Sequence, residues 1–208
     1  MTTAIKICGI TRADQAAAIA ASGAEFLGLN LWPKSKRHVT AAHAATLAAA
    51  ARGAGPAKLV GVFVDASPQE IAAAVILVGL DAVQLHGSET PADVAQVIAT
   101  ARVPVWKAVA ARPDIDLSWG VDTVLLDTPT PDRGGSGRTF DWSIAKAARD
   151  AHPAVHLVLA GGLDPANVAQ AIAAVAPWGV DVASGVESAP GVKDLARVAA
   201  FVAAVRGT

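Results

Sequence analysis

Cysteine is almost missing: Cys8 is the only one in 208 residues, so no intrachain disulfide can form and a reducing, cytoplasmic setting is expected. The charged-then-apolar opening of a secretory signal is missing too, since Met1-Thr2-Thr3 runs straight into a strand candidate. Charge is sparse. A formal net charge of −1, with 17% charged residues and no long Lys/Arg run, leaves no electrostatic footprint for nucleic acid or an acidic membrane. Long apolar runs are lacking: Ile71 to Leu80 is the longest, about half of the roughly 20 residues that cross a bilayer. The five histidines and Cys8 are scattered rather than set at ligand spacing, so no metal is expected. What is plentiful is apolar material. A hydrophobic content of 53% over this length suits a sizeable core, and no linker interrupts residues 1–208, which are expected to form one domain.

A strand–helix beat runs through the chain. In Ala4-Ile5-Lys6-Ile7-Cys8 the two-residue period puts Lys6 and Cys8 on one face and Ile5 and Ile7 on the other. Gly9 allows a sharp turn, and Thr11 with Asp14 resembles a capping box, so Cys8 is expected on a strand-to-helix turn. Further helix starts are signalled at Thr40, Ser67-Pro68-Gln69-Glu70, Thr90-Pro91-Ala92-Asp93, Asp141 and Asp164-Pro165, three of them with Pro at the first helical position. Strand candidates span Glu25 to Leu31, Lys58 to Val64, Asp81 to Leu85, Pro104 to Val109, Val121 to Leu126, Val155 to Ala160 and Gly179 to Ala183. With the first strand that makes eight units of about 26 residues, which predicts an α/β protein, a closed (β/α)₈ barrel. Its fifth helix is expected to be degenerate, because Arg112-Pro113-Asp114-Ile115-Asp116 is short and carries Pro. A doubly wound open sheet would call for a Gly-rich dinucleotide fingerprint after the first strand, and Cys8-Gly9-Ile10-Thr11 is not one.

In such barrels chemistry gathers at the C-terminal strand ends. Cys8 stands there as a base or nucleophile, although a buried inert thiol is the ordinary fate of a free cysteine. Asp127 closes Val124-Leu125-Leu126; burial against leucines would raise its pKa as a general acid requires, while a plain Asx-turn into Thr128-Pro129 is the alternative. Asp132-Arg133-Gly134-Gly135-Ser136-Gly137-Arg138 reads as a connector or a lid. Gly161-Gly162 and Ser184-Gly185 follow strands seven and eight, where backbone N–H groups of these barrels meet phosphate. In Lys34-Ser35-Lys36-Arg37-His38, otherwise a solvated loop, Arg37 is able to clamp a carboxylate bidentately. His86 ends strand four and is read as a hydrogen-bonded structural histidine. His43, His152 and His156 have no comparable placement.

From end to end the chain resembles the phosphoribosylanthranilate isomerases, barrel enzymes of the tryptophan pathway. The resemblance rests on Lys6-Ile7-Cys8-Gly9-Ile10-Thr11, Pro33-Lys34-Ser35-Lys36-Arg37, Val83-Gln84-Leu85-His86-Gly87, Leu125-Leu126-Asp127, Gly134-Gly135-Ser136-Gly137 with Phe140-Asp141-Trp142, Gly161-Gly162-Leu163, and Asp181-Val182 with Ser184-Gly185-Val186-Glu187. It implies Cys8 as general base, Asp127 as general acid, Arg37 as ligand of the anthranilate carboxylate, Asp181 near the bridging amine, and Gly161, Gly162, Ser184 and Gly185 around the phosphate. Asn30, where an apolar or aromatic residue is common, and Ala183, where Ser is common, depart from the family pattern. The implied reaction is an Amadori rearrangement of an N-linked ribosyl phosphate. One acid and one base suffice for it, so no cofactor is expected and the partner is a small-molecule substrate. Lys6 is placed either to stabilise a Cys8 thiolate or to be a paired structural lysine.

Two rival functions follow from the same residues. A related phosphosugar isomerase of the histidine pathway would work with paired carboxylates, against which Cys8 in place of an Asp argues. A catalytically silent phosphate-binding barrel has no use for both Cys8 and Asp127. Alanine-rich outer helix faces suit solvent and a flat interface equally, so the sequence does not select an oligomeric state.

Overall fold

The computed structural model of the chain describes residues 2–129 and 139–208. Eight parallel strands close into a barrel in sequence order: β1 (Ala4–Cys8), β2 (Phe26–Asn30), β3 (Lys58–Phe63), β4 (Ala82–Leu85), β5 (Val105–Ala110), β6 (Thr123–Asp127), β7 (His156–Leu159) and β8 (Gly179–Val182). The first strand pairs with the last, from Ala4 opposite Gly179 to Ile7 opposite Val182. Seven helices occur among the described residues: α1 (Ala13–Ala20), α2 (Ala41–Arg52), α3 (Pro68–Val78), α4 (Pro91–Ala101), α5 (Trp142–Ala151), α6 (Val168–Val175) and α7 (Leu195–Arg206). A short antiparallel hairpin, β9 (Glu187–Ala189) with β10 (Val192–Lys193), follows β8. No helix among the described residues is long and apolar enough to cross a membrane.

Strand alternation builds two cores. Outward residues such as Ile5, Ile7, Leu27, Leu29, Val124 and Leu126 pack with the helices in one large cluster, and inward residues Val60, Ala82, Trp106, Ala108, Leu125 and Val158 fill the barrel. At the N-terminal end of the barrel, Phe26 meets Trp106 edge-on at 5.0 Å, Trp106 meets Trp178 at 6.2 Å, and His156 stacks on Trp178 at 4.7 Å. Large aromatic side chains plug that end. Towards the other end, inward positions of β1, β4, β6 and β8 carry Lys6, Cys8, Gln84, Asp127 and Asp181.

The helix starts at Thr40, Ser67, Thr90 and Asp141 are N-caps, and Ser67/Glu70 and Thr90/Asp93 each form a full capping box with Pro at the first helical position. Two starts differ from expectation. Thr11 is not a cap: α1 begins after Arg12 without a side-chain cap, and the Thr11 hydroxyl donates instead to the Gly191 carbonyl. Asp164 accepts from the backbone N–H groups of Ala166 and Asn167, which organises a turn, so α6 starts only at Val168 and Pro165 lies before it. Between β5 and β6, residues 111–122 form turns without a helix, and Ile115 and Leu117 fill the outer core there.

Candidate active site

Cys8 ends β1 on the inward face, directly above Lys6. Its sulfur rests against the neighbouring strand at Gly28, where a Cβ would come within 2.6 Å of Sγ; any larger residue there would displace the thiol. Lys6 Nζ donates to Asp181 Oδ1 at 2.7 Å, with 1% of the lysine and 12% of the aspartate side chain exposed. The two alternatives for Lys6 thus resolve into a lysine paired first with Asp181. Burial pushes the Cys8 thiol above its ordinary value, and the nearby Lys6 ammonium offsets part of that push while Asp181 adds to it. Burial works against the Lys6 charge, but Asp181 and Cys8 outweigh it and hold the ammonium above the usual lysine range.

Asp127 ends β6 on the same inner face. Its Oδ1 accepts from Thr128 N–H at 2.7 Å, and Oδ2 lies 3.4 Å from His86 Nε2. The ring's other nitrogen, Nδ1, is 3.0 Å from the Gln84 amide nitrogen. With Gln84 donating to Nδ1, the neutral imidazole carries its proton on Nε2, facing Asp127. His86 is thus hydrogen-bonded, as expected, and its ring lies beside Asp127 at the mouth of the barrel. One sequence signal was available: His86 lies two residues beyond Gln84 on an inward face, one step past the end of β4.

The loops after β7 and β8 meet at the same mouth. Gly161 and Gly162 both adopt left-handed conformations, φ +82° and +67°, which glycine adopts without steric cost. A Cβ on Gly161 would lie 2.2 Å from Thr128 Oγ1 and 2.8 Å from Asp127 Oδ1, so this glycine lets the seventh loop approach the carboxylate. After β8, Ser184–Val186 make a single 3₁₀ turn. A Cβ on Gly185 would lie 2.0 Å from the Leu163 carbonyl oxygen, which shows the two loops packed backbone to backbone.

Arg37 stands in the turns after β2, whereas its neighbours Lys34 and Lys36 are exposed. Its shaft crosses Gly9 (φ +80°), where a Cβ would be 2.4 Å from Arg37 Cδ, so the guanidinium arm passes next to Cys8. Nε and Nη2 donate to the two oxygens of Glu187 at 2.8 and 2.7 Å. Asn30 uses its Oδ1 to accept from Trp32 N–H, and the Ala183 carbonyl accepts from Lys193. The connector or lid expected at residues 132–138 lies outside the described residues. A cleft of about 310 Å³ opens at this mouth between His86, Lys107, Trp119, Asp127 and Thr128. Beneath it Lys107 is paired with Glu89 at 2.7 Å. A larger cavity of about 880 Å³ lies at the opposite end around His156 and Trp178, away from Cys8, Asp127 and Arg37; size alone does not locate the chemistry. His43 contacts the Thr11 carbonyl in the turn after β1, and His152 contacts Asp116 in the segment between β5 and β6.

Comparison with known proteins bears on what this mouth does. A family model described as N-(5'phosphoribosyl)anthranilate (PRA) isomerase matches residues 5–204. An N-(5'-phosphoribosyl)anthranilate isomerase of Myxococcus xanthus is 43% identical, covering 99% of this chain and 97% of its own. Among solved structures, a phosphoribosyl anthranilate isomerase from Thermotoga maritima superposes with a TM-score of 0.87 at 39% identity, over 99% of this chain and 100% of that one. Another phosphoribosyl anthranilate isomerase, in complex with reduced 1-(o-carboxyphenylamino)-1-deoxyribulose 5-phosphate, superposes at 0.84 with 36% identity, over 99% of this chain and 100% of that one.

Proposed function

Because the chain belongs to the N-(5'-phosphoribosyl)anthranilate isomerase family, we propose that its conversion of N-(5'-phosphoribosyl)anthranilate to 1-(2-carboxyphenylamino)-1-deoxyribulose 5-phosphate is run by Cys8 as general base and Asp127 as general acid. The reaction is an aldose–ketose isomerisation of tryptophan biosynthesis. The observation that carries the assignment is the convergence of Cys8, Asp127, Asp181 and the two glycine-bearing loops on one end of the barrel, opposite its aromatic plug.

Asp127, as the carboxylic acid, gives its proton to the ribose ring oxygen; the C1′–O bond breaks and the nitrogen lone pair forms an iminium. That positive charge acidifies the C2′ proton. Cys8, as thiolate, takes it, and the C2′–H electrons form the C1′=C2′ bond and return the iminium electrons to nitrogen. The resulting enolamine becomes the ketone by taking a proton at C1′ and releasing its hydroxyl proton. Protons are moved and no net redox occurs, so the scheme consumes no cofactor. Arg37 holds the anthranilate carboxylate, Asp181 lies near the bridging amine, and Gly161, Gly162, Ser184 and Gly185 surround the phosphate with backbone donors. Ala183 leaves that set without one hydroxyl and with its backbone donors unchanged. The pairing of β1 with β8 supports taking residues 1–208 as one domain, and the single free cysteine supports a cytoplasmic setting.

Mixing the purified chain with N-(5'-phosphoribosyl)anthranilate is expected to form the ketose without additives, at a rate unchanged by EDTA. Activity lost to EDTA and restored by a divalent ion would contradict the acid/base scheme. Inorganic phosphate is expected to compete with substrate. Gly185→Ala, which forces a methyl group against the Leu163 carbonyl, is expected to weaken both phosphate inhibition and substrate binding by about tenfold, roughly 1.4 kcal/mol. Unaltered phosphate inhibition in that variant would place the phosphate elsewhere.

A further inference from the structure

We infer that Glu187, acting from the hairpin β9–β10, is the positioning residue that presents Arg37 to the substrate carboxylate. The inference rests on the proposed role of Arg37 and adds a residue that role does not name. Glu187 takes one edge of the guanidinium, Nε and Nη2, in a bidentate pair. A guanidinium has five N–H donors, so the edge formed by Nη1 and the second Nη2 hydrogen can take another carboxylate in the same fork geometry. Held on one side, the group keeps a single orientation for the other.

Glu187 is itself fixed. Its side chain is 5% exposed; Oε1 also accepts from Lys193 Nζ at 2.9 Å and from Gly191 N–H at 3.2 Å. Lys193 is fully buried, donates to the Ala183 carbonyl at 2.9 Å, and exchanges backbone bonds with the Gln15 side chain at 2.8 and 3.0 Å. The Thr11 hydroxyl bonds Gly191. The hairpin after β8 is thereby tied to the segments after β1 and β2, and the tie reaches the site through Glu187. The charges are also suited to the task. Glu187 is shared between Arg37 and Lys193, so its single negative charge does not neutralise both cations.

The test compares Glu187→Gln, Glu187→Asp, Arg37→Ala and the Arg37→Ala/Glu187→Gln double variant. Each is assayed on the natural substrate and on the analogue lacking the ring carboxylate, N-(5'-phosphoribosyl)aniline. KM is the readout because it does not depend on how much of a sample is folded. Glu187→Gln is expected to raise KM for the natural substrate by about tenfold, with kcat within about threefold and little change of KM for the analogue. Glu187→Asp, which keeps the charge but withdraws it by one methylene, is expected to fold and to fall between. In the Arg37→Ala background, Glu187→Gln is expected to add nothing to KM, since a residue acting through Arg37 has nothing left to position. If Arg37→Ala raises KM while both Glu187 variants leave it unchanged or lower it, the positioning role is wrong and the Arg37 assignment stands. If Arg37→Ala itself leaves KM unchanged, the carboxylate assignment fails, and the positioning role with it.

Discussion

Cys8→Ala is expected to fold, to bind substrate, and to lose about 10² or more in kcat, roughly 3 kcal/mol of barrier. The substitution removes one sulfur atom from a position where the strand pairing of β1 with β2 and β8 is unaffected. Its effect on stability is therefore that of a small buried group, and its effect on rate is that of a lost proton acceptor. A thiol that only filled space beside Gly28 would give the reverse: a lower melting temperature with kcat of the folded fraction nearly intact. Circular dichroism and turnover measured on the same sample separate the two.

Asp127→Asn is expected to cost a similar factor for a different reason. The amide oxygen can still accept from Thr128 N–H, as Oδ1 does now, so the turn after β6 keeps its geometry. What disappears is the proton for the ribose ring oxygen, and without it the ring does not open. His86 remains in place beside the amide, 3.4 Å from the present Oδ2. A folded Asp127→Asn protein with kcat near the wild-type value would remove Asp127 from the chemistry.

Both residues were legible in the sequence because strand ends are local features. The two-residue period of Ala4 to Cys8 and the apolar run into Asp127 mark where a strand stops and which face its last side chain joins. Pro-led capping boxes at Ser67 and Thr90 marked helix starts in the same way. Features built by distant pairing were hidden. Lys6 meets Asp181 across 175 positions, and Arg37 meets Glu187 across 150; no window of sequence contains both partners. Thr11 shows the same limit from the other side. It has the residue pattern of a cap, yet its hydroxyl goes to Gly191, which only barrel closure brings near. The end of strand four was visible at His86, but only the fold sets Asp127 beside it.

The central claim, that a thiolate at position 8 takes the proton, is tested most directly by the pH dependence of kcat/KM in the wild type and in Cys8→Asp, since this ratio reports groups of the free enzyme. Burial raises the Cys8 thiol, with Lys6 offsetting only part of the rise, so the wild-type profile is expected to break above the ordinary cysteine value of about 8.5. Cys8→Asp is expected to be more active than Cys8→Ala and to lose the break, its upper limb moving down by several pH units towards the carboxylate range. A break at the same pH in both proteins would mean that another group is the base.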